Sequence, residues 1–174
     1  MRGQLLTGCL LLILALEASA QRLSTTPGYT ESEIKAAFTL HLISFISWPN
    51  SQQPNVLCVV DESGVHDALE LLLNKREAKD ISLRSLVDTR DVGPCDLLFL
   101  GSDVDLPAFD HTLPLLTIGE RTGFAAAGGM VELSRHAGRV ELIINESELQ
   151  HAGFSASSRL MSLATIVTPG VVRP

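Results

Sequence analysis

The chain has 174 residues, and its 20 acidic residues outnumber its 13 lysines and arginines, which gives a formal net charge of −7. This excess of acid, without a basic cluster, argues against a nucleic-acid partner. The length fits one domain with a sizeable core. After the N-terminal stretch, no segment reaches the length of about 20 apolar residues that a membrane-spanning helix needs.

The first twenty residues have the pattern of a secretory signal peptide. Arg2 supplies the positive start, residues 5–16 form the apolar core, and the sequence ASA ending at Ala20 matches the small-residue cleavage pattern. We therefore predict cleavage before Gln21 and an exported mature chain. A lipid-anchor site at Cys9 is rejected, because most of the apolar core follows that cysteine.

The first helix has clear start and stop signals. Residues 21–29 are polar and predict a loose arm. Thr30 is a favourable N-cap, and Glu33 three residues later completes a capping box. Pro49 is expected to end the helix, because the residue before a proline avoids helical geometry. The apolar residues between these signals recur every three or four positions and are predicted to share the buried face: Ile34, Phe38, Leu42, Phe45 and Trp48.

The rest of the chain alternates short apolar runs with helical patterns. In order, these patterns predict a strand over 56–60, a helix over 66–75, strands over 81–87 and 95–100, a short helix over 106–111 and a strand over 115–118. Two strands joined by a tight hairpin follow, over 130–133 and 139–144. The chain then continues with a helix over 146–151 capped by Asn145, a last helix from Ser155 or Ser157 through 166, and a tail over 168–174. Short apolar strands separated by helices favour a parallel sheet covered on both faces. We therefore predict that residues 21–174 form a single compact α/β domain. Its central, mostly parallel sheet of about five to six strands is flanked by helices, with a C-terminal β-hairpin and helix.

A glycine-rich stretch over residues 121–129 raises the question of a phosphate site. A dinucleotide site needs G-x-G-x-x-G at the opening of a helix, and a Walker loop needs Gly-Lys-Ser/Thr. Here a strand follows the glycines and no lysine is near. The pattern therefore indicates a structural turn, in which Gly128 and Gly129 supply positive φ where the chain reverses. Gly123 and Phe124 belong to the same turn, and Phe124 would fill either the core or a ligand groove.

Local motifs for catalysis or metal binding are missing. The five histidines are scattered, and the chain lacks H-E-x-x-H, Cys-x-x-Cys and G-x-S-x-G. We therefore predict no enzyme activity, no cofactor and no metal. Four aspartates in or near loops that follow strands allow two interpretations, an acidic pocket or turn and cap residues: Asp61, Asp67, Asp103 and Asp105.

Two further features of the sequence bear on function. Trp48 is the only tryptophan, and it either finishes the core stripe or, with Pro49, forms part of a protein interface. Removal of the leader would leave Cys58 and Cys95, and an even pair of cysteines in an exported protein predicts one disulfide. These cysteines belong to the first and third strands, which are neighbours in a doubly wound order.

Several segments, taken in order, resemble the YfiR-like family of bacterial periplasmic proteins: ESEIKAAFTLHLISFISWP, LCVV, CDLLFLG, LLTIGE, GFAAAGGMVEL, RVELIIN and FSASSRLMSLA. The resemblance covers roughly residues 31–164. It implies a compact α/β fold and makes the glycine stretch the family's turn. Cys58 and Cys95 match a family disulfide, whereas a second family disulfide near the hairpin strands has no counterpart here.

The resemblance also implies a function. The type member is a repressor that binds the periplasmic sensor domain of an inner-membrane diguanylate cyclase, and so lowers cyclic di-GMP and biofilm formation. An outer-membrane lipoprotein can sequester that repressor. The expected partners are therefore the periplasmic domain of an inner-membrane diguanylate cyclase or sensor kinase, an outer-membrane lipoprotein and, in a homodimer, a second copy. The alternative is a periplasmic small-molecule binding module that feeds a membrane sensor kinase or cyclase. A hydrolase built from distant residues is a third hypothesis.

Overall fold

The computed structural model describes residues 28–51, 53–60, 64–76, 80–106, 113–168 and 171–172. The predicted leader, its cleavage site and most of the predicted helix over 106–111 lie outside these residues. In chain order the elements are α1 (Glu31–Phe45), β1 (Ile46–Ser47), β2 (Val56–Val60), α2 (Val65–Arg76), β3 (Ser82–Ser85), β4 (Leu97–Leu100), β5 (Leu116–Gly119), β6 (Val131–His136), β7 (Arg139–Asn145), α3 (Glu146–His151), β8 (Ser155–Ala156), α4 (Ser158–Met161), β9 (Thr165–Thr168) and β10 (Val171–Val172). None of the helices in this described part of the chain is long and apolar enough to cross a membrane.

Among the described residues, eight strands form one sheet in the order β10-β9-β7-β6-β5-β4-β2-β3. The pairs β2–β3, β2–β4, β4–β5, β5–β6 and β7–β9 are parallel. The hairpins β6–β7 and β9–β10 are antiparallel, while β1 and β8 pair separately. The predicted α/β class with a mostly parallel sheet is therefore confirmed, and the sheet has two or three strands more than the predicted five to six.

Both faces of the sheet carry a core. Successive side chains of a strand point to opposite faces, so Leu57 and Val59 of β2 join a large core under α1 and α2. Cys58 and Val60 join a smaller core on the other face, together with Phe124. Burial on both faces explains why the central strands are continuous apolar runs rather than alternating ones.

The first helix begins as predicted and ends earlier. Glu33 N–H donates to Thr30 Oγ1 at 3.2 Å, and Thr30 N–H donates to Glu33 Oε2 at 2.7 Å, which is the capping box. The helix ends at Phe45 rather than near Trp48, because Ile46 adopts extended geometry and begins the two-residue strand β1 that pairs with β8. The prediction of one helix up to Pro49 was therefore wrong in its last turn.

The predicted buried face of α1 was also wrong in part. Its fully buried residues are Lys35, Ala36, Thr39, Leu40 and Leu42. Of the predicted stripe, only Leu42 is fully buried, and the Phe38 side chain is 36 % exposed. The apolar face of α1 is wider than the part of it that the core covers. Part of that face packs on the sheet and the rest lines a groove.

The C-terminal region differs most from expectation. The last helix is only the four-residue α4, and residues predicted to continue it form β9 instead. β9 runs Thr-Ile-Val-Thr, and β-branched residues prefer strands. It pairs in parallel with β7, with Ile144 opposite Ile166. The predicted tail contains β10, in which Val171 pairs with Thr168.

Candidate interaction surface

An apolar groove of about 700 Å³ opens between α1, α2, β7 and the α4 region. Six large hydrophobic side chains are exposed in the described part of the chain, and four of them line this groove: Tyr29 (82 % exposed), Phe38 (36 %), Leu71 (47 %) and Leu163 (74 %). Contiguous exposed apolar surface on a folded protein marks a binding site more often than a scattered apolar residue does. The groove is therefore the strongest candidate functional surface.

The walls of the groove follow from the helix sequences. In α2, Leu71, Leu72 and Leu73 are consecutive and cannot all face the core at 3.6 residues per turn. Leu73 is buried, whereas Leu72 is half-buried and Leu71 is exposed, and both of these line the groove. That leucine run was the sequence signal for the groove, and the sequence reasoning missed it. His41 of α1 is exposed and also lines the groove.

The charged residues that line the groove are two cations, Lys75 and Arg159, against one carboxylate, Glu33. Glu33 is engaged with the helix start, and the hydrogen bond from the Thr30 backbone N–H holds the pKa of Glu33 below its ordinary value. A second cleft of about 460 Å³ shares Tyr29 with the groove and adds Arg135 and Arg139, with Glu31 as its carboxylate. Four cations therefore stand against two carboxylates among the residues that line the groove and this cleft, on a chain whose net charge is −7.

A polar cluster lies at the carboxyl edge of the parallel strands, where α/β folds bind ligands. Lys35 Nζ lies 2.6 Å from Glu120 Oε2 and 2.6 Å from Glu31 Oε1. Glu120 directly follows β5, and its Oε1 accepts a hydrogen bond from Ser102 N–H at 3.0 Å. Arg135 Nη1 contacts Glu31 Oε2 at 3.2 Å. These residues border a cleft of about 570 Å³.

The electrostatics of this cluster are those of a structural ion pair. The Lys35 and Glu120 side chains are 7 % and 2 % exposed. Burial disfavours the charged ammonium, but hydrogen bonds to Glu120 and Glu31 outweigh that cost and hold the pKa of Lys35 above its ordinary value. Because each cation already faces a carboxylate, the cluster anchors α1 to the sheet. The sequence reasoning did not identify it, since Lys35 and Glu120 are 85 positions apart.

The aspartates considered for an acidic pocket take local roles where the structure describes them. Asp67 lies in the first turn of α2, with its side chain 90 % exposed. Asp105 pairs with Arg121 on the surface. Asp103 is exposed, and Asp61 lies outside the described residues. Within the described ranges, no group of three or more histidine, cysteine or acidic side chains is arranged to hold a metal ion.

Trp48 packs inside the protein. Its ring meets Phe154 edge to face, with centroids 5.1 Å apart and planes at 85°, and it borders the large core. Its indole Nε1 is buried and has no hydrogen-bond partner among the described residues. Pro49 is half-buried beside Gly153. This packing supports the core interpretation of Trp48, and an interface role for Trp48 and Pro49 stays a prediction.

Cys58 and Cys95 form a disulfide, with their Cα atoms 5.8 Å apart, and the two residues are 37 positions apart in sequence. β2 and β4 are neighbours in the sheet, as a doubly wound order requires, and this brings the two cysteines together. Both are buried in the smaller core. The bond is therefore a structural link on the face of the sheet opposite α1 and α2.

The glycine-rich turn is organised around Phe124, which is fully buried. A Cβ at Gly119 or Gly129 would overlap the Phe124 ring, so glycine is required there by close approach. Gly123 and Gly128 have positive φ. The prediction that Gly129 also needs positive φ was wrong, because its constraint is the aromatic ring.

Backbone N–H and C=O groups of this turn form hydrogen bonds with side chains of the protein itself. Gly123 N–H and Ala125 N–H both donate to the Glu132 carboxylate at 3.1 Å. Asn145 Nδ2 donates to Ala125 O at 2.8 Å, while Asn145 Oδ1 accepts from Glu148 N–H as the cap of α3. The anion at this turn is thus a buried side chain, and the phosphate interpretation gains no support.

The comparison with protein families decides the identity of the fold. The family model for YfiR/HmsC-like proteins matches residues 32–165, which is more than half of the chain. The chain belongs to the YfiR/HmsC-like family. Members of this family are known as periplasmic regulators of diguanylate cyclases, so the family is regulatory rather than catalytic.

Other comparisons with this YfiR/HmsC-like chain are weaker. A solved structure of a conserved domain protein from Vibrio cholerae O1 biovar El Tor strain N16961 is similar at 14 % identity, with a TM-score of 0.49. The match covers 79 % of this chain and 60 % of that one. A search of curated proteins finds no match. The groove walls, the disulfide and the glycine-rich turn all fall almost wholly within the part of the chain that the YfiR/HmsC-like model matches.

Proposed function

We propose that this protein is an exported periplasmic regulator that binds the sensor domain of an inner-membrane signalling protein. The regulated protein is a diguanylate cyclase, and binding holds it inactive, which lowers cyclic di-GMP and biofilm formation. The observation that carries the proposal is the family match over residues 32–165. The exposed apolar groove supports it, because it provides a surface for a protein partner. An outer-membrane lipoprotein that sequesters the regulator would release the cyclase.

Deletion of the gene tests repression directly. We expect cyclic di-GMP and surface attachment to rise in the deletion strain, and to return to the starting level when the full chain is supplied again. A version lacking residues 1–20, which stays in the cytoplasm, is the matched control and should not restore repression. Unchanged cyclic di-GMP in a strain with an active periplasm-facing cyclase would contradict the proposal.

Export has its own measurement. The proposal requires cleavage before Gln21, so sequencing of the periplasmic protein should begin at that residue. Retention of Met1, or a lipid on Cys9, would contradict the predicted leader. Pull-down of the mature protein from membranes, with the bound protein identified by mass, then names the partner. Light scattering during size-exclusion chromatography decides between a monomer and a homodimer.

A small-molecule binding module is the second candidate function. The volume of the groove, about 700 Å³, lies within the range of ligand pockets. If this function holds, protein purified from the periplasm should release one small apolar compound per chain on denaturation. Leu163→Asp should abolish that yield, while Val87→Asp, at a fully exposed site that does not line the groove, should not. An extract free of any such compound would count against this candidate.

A further inference from the structure

We infer that the groove between α1 and α2 receives an amphipathic helix with acidic flanks, contributed by the periplasmic domain of the regulated membrane protein. This inference rests on the proposed function for the identity of the partner. It rests on the groove itself for the chemistry of the bound segment. Three features of the groove, namely its backbone, its length and its charge, each restrict what can occupy it.

The backbone of the groove favours a helical occupant. Its walls are mainly side chains of α1 and α2, and the backbone groups of an α-helix are bonded within the helix. An extended peptide laid on such walls would lose water from its N–H and C=O groups without gaining partners, which is costly for each group. A helix brings its own backbone hydrogen bonds, so only its side chains need partners. Helix-in-groove recognition uses this arrangement.

The length of the groove sets the number of anchors. On α1 the lining residues run from Glu33 to Phe45. At 1.5 Å per residue this is about 18 Å, or roughly three helical turns. A helix of that length presents apolar residues at positions i, i+3 or i+4, and i+7 on one face. Four exposed hydrophobic side chains of the groove are available to contact them: Tyr29, Phe38, Leu71 and Leu163.

The charges of the groove select the partner. Lys75 and Arg159 outnumber Glu33 along the groove, and Arg139 extends the positive surface into the neighbouring cleft. Two copies that docked groove to groove would place these cations against each other. The arm between the predicted cleavage site and Tyr29 carries the cation Arg22 and only one large apolar residue. It therefore does not complement the cations of the groove, and it has too few apolar side chains to cover the apolar walls. A partner helix with aspartate or glutamate beside its apolar face complements both.

Site-specific photo-crosslinking tests the inference in cells. A photo-reactive amino acid replaces Leu163 in the groove or, as the control, Val87, which is fully exposed and lines a different cleft. We expect the Leu163 position to crosslink to a membrane signalling protein, through a segment with apolar residues at helical spacing and acidic neighbours. The Val87 position should give no such product. A Leu163 product within a second copy of this chain, in a basic or extended segment, or no product in cells where repression is intact, would overturn the inference.

Reversing the charges of the groove gives a quantitative test of the inference. Lys75→Glu combined with Arg159→Glu should weaken binding of a fluorescent synthetic helix of about three turns with leucine on one face and glutamate on its flanks. The expected loss is about ten-fold, and the same variant should gain affinity for a lysine-flanked version of the peptide. Arg84→Glu combined with Arg90→Glu makes the same change in net charge at two exposed sites outside the groove and is the matched control. Equal binding of the two peptides by the wild-type protein, or binding of neither, would refute the charge argument.

Cyclic di-GMP measured in the same strains separates the two proposals. Repression that survives Leu163→Asp would leave the proposed function standing and remove the groove as its docking surface. Loss of repression with Leu163→Asp but not with Val87→Asp supports both. Crosslinking to an acidic helix of a protein unrelated to cyclic di-GMP would support the groove inference and remove the cyclase as the partner.

Discussion

The buried ion pair between Lys35 and Glu120 should be the main polar link between α1 and the sheet. Lys35→Met leaves the Glu120 carboxylate buried, with the Ser102 N–H as its remaining donor among the contacts of the cluster. Breaking a buried pair by removing one partner typically costs about 3–5 kcal/mol. In a domain of this size that corresponds to a fall in melting temperature of roughly 6–20 °C.

A double-mutant cycle isolates the pair from its surroundings. Glu120→Gln keeps an acceptor for Ser102 but removes the charge that Lys35 faces. We expect the double variant to cost clearly less than the sum of the single variants, because it leaves neither charge of the pair alone. Urea unfolding with the disulfide intact gives the three free energies, provided that the slope with urea stays constant.

The exposed pair of Asp88 and Arg90 is the matched control. Arg90 is 87 % exposed, so Arg90→Met should leave the melting temperature nearly unchanged, as expected for a surface ion pair. If Lys35→Met is as mild as Arg90→Met, or if the costs of Lys35→Met and Glu120→Gln simply add, the assignment of Lys35 as a buried anchor is refuted.

Three more predictions concern other parts of the fold. Replacing Cys58 and Cys95 by alanine opens a loop of 37 residues, and the chain-entropy relation gives a loss of about 4 kcal/mol in unfolding free energy; two free thiols per unreduced wild-type chain would contradict the bond. The hydrogen bond from Lys35 holds the pKa of Glu31 below its ordinary value of 4.5. The ionised Glu31 carboxylate therefore contributes to the stability of the fold above pH 4.5, and this contribution is lost as the pH falls through the lowered pKa. As the pH is lowered below 4.5, Glu31→Gln should therefore lose less unfolding free energy than the wild type. An identical fall of unfolding free energy with pH in the two proteins would refute this role of Glu31. Trp48→Ala should lower the unfolding free energy by about 2 kcal/mol or more, because it removes the ring packed on Phe154; an unchanged melting temperature with weaker partner binding would instead favour the interface interpretation.

Local chemistry determined much of this chain. The capping box of Thr30 and Glu33 is formed by neighbours, and the helix starts where that box predicts. The strand over 56–60 and the helix over 146–151 have the predicted bounds, because an unbroken apolar run and an Asn145 cap are signals carried within a few residues. The α/β class followed from the alternation of such segments.

The tertiary structure decided what depends on distant partners. The last helix was predicted to run through residue 166, yet residues 165–168 form β9, because β7 offers a strand with which these β-branched residues can pair. Lys35 is buried because Glu120, 85 positions away, supplies a carboxylate. The ion pair between Lys35 and Glu120 also fixes the orientation of α1, so that Phe38 faces the groove instead of the core. A sequence pattern shows that a helix has an apolar arc, but which part of that arc is covered depends on the charges and strands that pack against it.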